Sequence, residues 1–174
     1  MKKEVLATIA LVGLTAVALR SQNKPLATVS HVDLKKYLGK WYEIAAFPQS
    51  FQKGCSCTSA EYSLRPDGNI EVKNTCLKEG KNKTAIGKAV VKDKTTNAKL
   101  SVTFFWPFSG KYWIIALAPD YSYAIVGHPN RDYLWILGRK PIMDEQTYRM
   151  LVVTAANKGF DVRKLVKTDQ SCNK

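Results

Sequence analysis

Trp41 and Arg139 are the two side chains whose meeting would matter most, because a guanidinium lying over an indole face gains cation–π energy of roughly 0.5–2 kcal/mol. Trp41 opens the run Gly39-Lys40-Trp41-Tyr42-Glu43-Ile44-Ala45, and Arg139 closes the run Tyr133-Leu134-Trp135-Ile136-Leu137-Gly138-Arg139. A contact between them would clamp the first and last strands of a closed sheet. Glu43 shares the parity of Trp41 and so carries a carboxylate inward, where it either meets water or a lysine or forms a polar point on a pocket wall. Cys55, Cys57, Cys76 and Cys172 are four in number, which behind an export signal implies two disulfides, with three pairings open. A metal or redox site at Cys55-x-Cys57 lacks support: zinc wants further Cys or His ligands at suitable spacing, and His31 and His128 stand apart. No nucleophile–base motif, phosphate loop, metal cluster, cofactor pattern or Gly-x-Ser-x-Gly occurs.

The elements that must position these residues are mostly strands. Gly39 weakens a helix, whereas Trp41, Tyr42 and Ile44 suit a pleated surface, so the first strand runs from about 40 to 47. Before it, Asp33 to Leu38 reads as a helical turn: Asp33 suits the N-cap, and Leu34, Tyr37 and Leu38 share a face that would plug one end of a barrel. Pro48 to Gly54 is a long loop with Phe51 at its tip. Arg65-Pro66-Asp67-Gly68 is a tight hairpin between strands at 57–64 and 69–77. Further strands are expected at 84–92, 99–105, 111–118, 122–127 and 133–140, with Trp106 to Gly110 as a break. In the fifth, Leu100, Val102 and Phe104 fall on one face, and Ser101 and Thr103 on the other. Tyr133, Trp135, Leu137 and Arg139 alternate likewise, with the parity the clamp requires. One long helix follows, capped by Asp144, striped by Tyr148, Leu151, Val152 and Ala155, and stopped by Gly159, with a short strand at 160–167. Regular short strands separated by turns argue a sandwich or barrel, and a closed barrel either is packed solid or has room for one ligand.

The Gly-x-Trp of Gly39 to Trp41, with Arg139 at a late strand end before a helix, resembles the lipocalin family. Lys36-Tyr37-Leu38-Gly39-Lys40-Trp41-Tyr42-Glu43-Ile44-Ala45 and Arg131-Asp132-Tyr133-Leu134-Trp135-Ile136-Leu137 look more closely like the bacterial outer-membrane lipocalin and apolipoprotein D group, over about residues 32–172. The resemblance implies an all-β fold with one C-terminal α-helix: an eight-stranded antiparallel up-and-down β-barrel, or calyx, with the loop after the first strand as lid at its open mouth. It implies pairing of Cys57 with Cys172, which leaves Cys55 for Cys76. It also implies that Tyr62, Asn74, Phe104, Tyr112 and Trp135 contact a hydrophobic ligand, with Gly39, Trp41 and Arg139 as the structural clamp.

The 174 residues fit one domain, and a charge of +13 creates a field that favours polyanions, anionic lipid head groups and acidic ligands. Lys2-Lys3, an apolar stretch over 5–19 and the small-x-small Ala16-Val17-Ala18 read as a signal peptide or membrane anchor over 1–18. A polar tether over 19–31 and a lipocalin domain over 32–174 complete the organisation. The lipidated cysteine often found at this point in bacterial lipocalins has no counterpart before Cys55. Asn82-Lys83-Thr84 is a glycosylation sequon only in a secretory eukaryotic setting. The leading expectation is non-enzymatic binding, transport or storage of fatty acids or lysophospholipids at the cell envelope or outside the cell, with contact to a membrane surface. Two other classes stand beside it. One is a calyx-based isomerase or de-epoxidase, which would need a reactive thiol or paired carboxylates. The other is a filled barrel binding polyanions or membrane surfaces by charge. Its lysines are scattered instead of lying on one helix or beside stacking aromatics, so nucleic acid is not an expected partner.

Overall fold

The computed structural model describes residues 24–173. Helix α1 (Leu34–Tyr37) precedes eight consecutive antiparallel strands: β1 (Gly39–Ala46), β2 (Ser56–Leu64), β3 (Ile70–Lys78), β4 (Lys81–Val91), β5 (Lys99–Phe105), β6 (Phe108–Leu117), β7 (Tyr123–Gly127) and β8 (Leu134–Gly138). Each strand pairs with the next, and β8 pairs back onto β1, so the sheet closes into a barrel. Helix α2 (Glu145–Asn157) lies outside, and the two-residue β9 (Val166–Lys167) adds to β1.

Local chemistry explains the ends of these elements. Asp33 caps α1 by accepting from the backbone N–H groups of Lys35 and Lys36, and Asp144 caps α2 by accepting from Thr147. Gly68 adopts a positive φ in the β2–β3 turn, where its N–H reaches the Arg65 carbonyl at 3.0 Å. Two strands start earlier than the pattern predicts. β4 begins at Lys81 and β6 at Phe108, because the turns before them shrink to Glu79-Gly80 and Trp106-Pro107. The final strand is much shorter than the expected 160–167. Phe160 is buried against Phe47, and Val162–Lys164 closes its own 3₁₀ turn before the chain reaches the free edge of Ala45 and Ala46.

The barrel separates two cores. Trp41, Tyr62, Val72, Leu100, Val126 and Leu137 fill part of its inside, whereas Ile44, Ile115, Ile125 and Ile136 point outward under Leu151, Ala155 and Phe160. In α2, Leu151 and Ala155 are buried, while Tyr148 and Val152 pack at their flanks, so the stripe read from the sequence is the buried face. One expectation changes here. Residues 19–31 were expected as a tether, yet in the described part Leu26 is buried in the outer core and the Val29 N–H donates to the Ile114 carbonyl at 3.0 Å. Its apolar side chains supply the reason, since burial of each is worth about 1.5–3 kcal/mol. The expected segment 1–18 lies outside the described residues.

Candidate functional site

Strand direction gives the barrel two unlike ends. Helix α1, the start of β1, the β2–β3 turn and the end of β8 share one end; the β1–β2 loop and the β3–β4, β5–β6 and β7–β8 turns share the other. The first end is closed by Trp41, which is fully buried. Its indole N–H donates to the Tyr37 carbonyl at 2.8 Å, and the Arg139 guanidinium lies 3.9 Å from its ring centroid. Arg139 also donates to the carbonyls of Lys40 at 2.9 Å, Lys36 at 2.7 Å, Tyr37 at 3.3 Å and Tyr121 at 3.3 Å. One cation thus ties α1, β1 and the β6–β7 connection to the end of β8. Gly39 has φ +89°, and a Cβ there would sit 3.4 Å from the guanidinium, so glycine serves both backbone and clamp. No ion pair among the described residues involves Arg139, and burial draws its pKa down against the opposing pull of Tyr37 and Tyr62.

Above the clamp lie three tyrosines. The Tyr112 hydroxyl is 2.8 Å from that of Tyr37 and 2.8 Å from that of Tyr62, and the Tyr37 ring packs 5.0 Å from Trp41. Burial raises all three phenols, Tyr62 to about 12, so they remain protonated through the neutral range. Tyr37 and Tyr62 are buried; Tyr112 retains accessible surface.

The walls follow from register. Tyr62 pairs with Val72, Asn74 with Ala60 and Ala85, Leu100 with Tyr112, and Val126 with Trp135, which places Tyr62, Asn74, Phe104, Tyr112 and Trp135 on one inward-facing set. Asn74, Val102, Phe104, Tyr112 and Trp135 are each only partly buried, although they share that set with the core. Small residues share the inner face: Ala60, Ala85, Gly87, Ala89 and Gly110. Gly87 is one that must be small, since a Cβ there would come within 2.8 Å of the Phe104 ring and the Thr103 carbonyl. Aromatic walls, small gaps and two kinds of polar group suit an apolar ligand with one polar end.

Glu43 is buried, and among the described residues its partners are not lysines: it accepts from Gln52 Nε2 at 2.8 Å and Thr168 Oγ1 at 2.6 Å. Burial raises its carboxyl pKa, with those two donors opposing. β1 and β2 stop pairing beyond Tyr42 and Ser59, and there Gln170 donates from Nε2 to both the Glu43 and Thr58 carbonyls at 2.8 Å. Glu43 therefore joins the β1–β2 loop to the C-terminal segment. Disulfides brace the same region: Cys55 is bonded to Cys76, and Cys57 to Cys172 across 115 residues.

The open rim is aromatic and basic. Phe51, Phe105, Trp106 and Phe108 are exposed, Trp106 at 88%. Lys53 on the β1–β2 loop and Lys81 and Lys83 at the start of β4 stand exposed beside them. The sequence pattern marks Phe51 as a loop tip and Trp106 to Gly110 only as a break. Apolar side chains at a turn tip are the signal. The pattern also places Tyr37 on a plug without linking it to Tyr62 and Tyr112, which lie 25 and 75 residues away. A separate hollow outside the barrel, lined by Ile44, Pro141, Ile142, Met143 and Tyr148, includes no residue of the tyrosine floor. Among the described residues no group of His, Cys, Asp and Glu could hold a metal ion.

A lipocalin-like domain family matches residues 32–170. The outer membrane lipoprotein Blc of Escherichia coli K12 is 40% identical over 88% of this chain and 89% of its own. Apolipoprotein D of Bos taurus is 42% identical over 79% of this chain and 77% of its own. Among solved structures, insecticyanin from the tobacco hornworm Manduca sexta superposes with a TM-score of 0.68 at 23% identity, covering 84% of this chain and 85% of that one, which bears on the fold alone.

Proposed function

This chain belongs to the lipocalin family, whose members typically bind small hydrophobic molecules, and from that premise we propose that it carries fatty acids or lysophospholipids in its barrel without transforming them. The observation that carries the reading is the lumen. Tyr62, Asn74, Phe104, Tyr112 and Trp135 belong to one inward-facing set, four of them are only partly buried, and alanines and glycines stand between them. A charge-driven protein with a packed barrel would have no use for that pattern. Trp41, Arg139 and Gly39 close the floor, so exchange runs through the mouth. The cysteines that an isomerase or de-epoxidase could use as thiols are paired, and Glu43 is engaged by Gln52 and Thr168.

The same reading places loading at a membrane. Aromatic side chains at a rim enter the head-group region readily, and nearby lysines add about 1 kcal/mol each toward an anionic surface. Export to the cell envelope or secretion is supported by the apolar N-terminal stretch and by the resemblance to an outer membrane lipoprotein and to apolipoprotein D. Delipidated protein titrated with a long-chain fatty acid should saturate near one per chain, and Trp135→Ala should weaken binding about ten-fold, the loss expected for a large buried aromatic contact. Failure to bind fatty acid or lysophospholipid would end this reading. Trp106→Ser should leave that affinity in solution unchanged while reducing co-sedimentation with phosphatidylglycerol-containing vesicles; equal co-sedimentation of the two proteins would remove the rim from the account.

A further inference from the structure

The three hydroxyls at the floor hold one more proton than their contacts use. Tyr37, Tyr62 and Tyr112 are three donors, and only two oxygen–oxygen contacts join them, both to Tyr112. If the spare proton stood on Tyr37 or Tyr62, a buried donor would go unmatched, which costs about 1–3 kcal/mol. The favourable arrangement has Tyr37 and Tyr62 donating to Tyr112, whose own O–H is then left for a ligand on the inward face that Tyr112 shares with Leu100. Phe108 stands at the rim and Tyr112 four residues down the same strand, so this donor sits about 13 Å below the mouth. Beneath it, Arg139 holds a positive charge with no ion-pair partner among the described residues.

Resting on the lumen as the ligand site, we propose that the Tyr112 hydroxyl is a specificity determinant that receives the carboxylate of a fatty acid, which therefore binds with its polar end at the floor and its methyl end at the rim. The donor is fixed by its two neighbours and stays protonated, and the field of Arg139 favours an anionic oxygen over a cationic head group. A lysophospholipid has a bulky zwitterion at its polar end and cannot place it there, so it must sit with its tail inward and lose this bond.

The test compares tetradecanoate with tetradecyltrimethylammonium, of equal chain length but unable to accept a hydrogen bond, in wild-type and Tyr112→Phe protein. The variant should weaken tetradecanoate about ten-fold, as expected for a hydrogen bond to a charged group, and leave the cation within about two-fold. An equal change for both, or no change for either, overturns the proposal while leaving the lumen as the binding site. If wild-type protein binds neither, the site itself is wrong and the proposal falls with it. A second measurement needs no change at Tyr112. Tetradecanoate brominated at its methyl end should quench the Trp106 emission, taken as the difference between wild-type and Trp106→Phe protein, more than tetradecanoate brominated beside its carboxyl. The reverse order overturns the pose.

Discussion

At the scale of single residues, the half-buried Arg139 and the buried Glu43 show opposite ways of holding an ionisable group. Arg139 has no counter-ion among the described residues but gives its protons to four carbonyls and its face to Trp41, a set only a planar guanidinium can satisfy. Arg139→Lys should therefore lower the unfolding free energy by about 2–4 kcal/mol, read from urea denaturation, because an ammonium can replace at most part of that pattern. Glu43 has a raised pKa, so the folded state holds its proton more tightly than the unfolded state does. Its contribution is full below the unfolded carboxyl value and is lost as pH rises through the raised folded one. Glu43→Gln should flatten that part of the stability–pH curve, measured as urea midpoints between about pH 4 and 7, since the amide has no charge to desolvate. An unchanged slope would mean that other carboxyls set it.

Elements were read more securely than the contacts between them. Strict alternation in Leu100, Val102 and Phe104 and in Trp135 and Leu137 locates the inner face, because a strand's two faces cannot be exchanged without exposing one of them. The helix was equally legible through Asp144, its stripe and Gly159. What stayed hidden depends on tertiary geometry. Gln170 filling the gap between β1 and β2, Leu26 packing in the outer core and the Tyr37–Tyr112–Tyr62 chain all join residues far apart, and no local period announces them. Strand ends slipped where short turns replaced expected loops. Two measurements belong at this scale. Gly127→Ala would set a Cβ 2.5 Å from the Phe160 ring and should cost about 1–3 kcal/mol by overpacking β7 against the C-terminal segment, read as a lower urea midpoint. On the chain-entropy account, replacing Cys57 and Cys172 by serine should destabilise by about 5 kcal/mol against about 3 for Cys55 and Cys76, because the first pair closes the longer loop. Equal losses from the two pairs would refute that ordering.

For the whole molecule, a closed barrel with one sealed end divides the work between an apolar inside and a basic outside. On the proposed reading the +13 charge and the aromatic rim act at a membrane surface, and salt weakens what charge does there. Lumen binding rests on burial, which salt leaves intact. Raising sodium chloride from about 0.05 to 0.5 M should thus release the protein from anionic vesicles while fatty acid affinity in solution changes little; a parallel loss of both would assign the ligand to surface lysines. The most direct measurement of the central claim is native mass spectrometry of the purified full chain, with organic extraction of whatever it carries. Fatty acid or lysophospholipid at close to one per chain, with occupancy lowered by Trp135→Ala, is the predicted result. A chain that is empty on isolation, and remains empty when offered both, would contradict it.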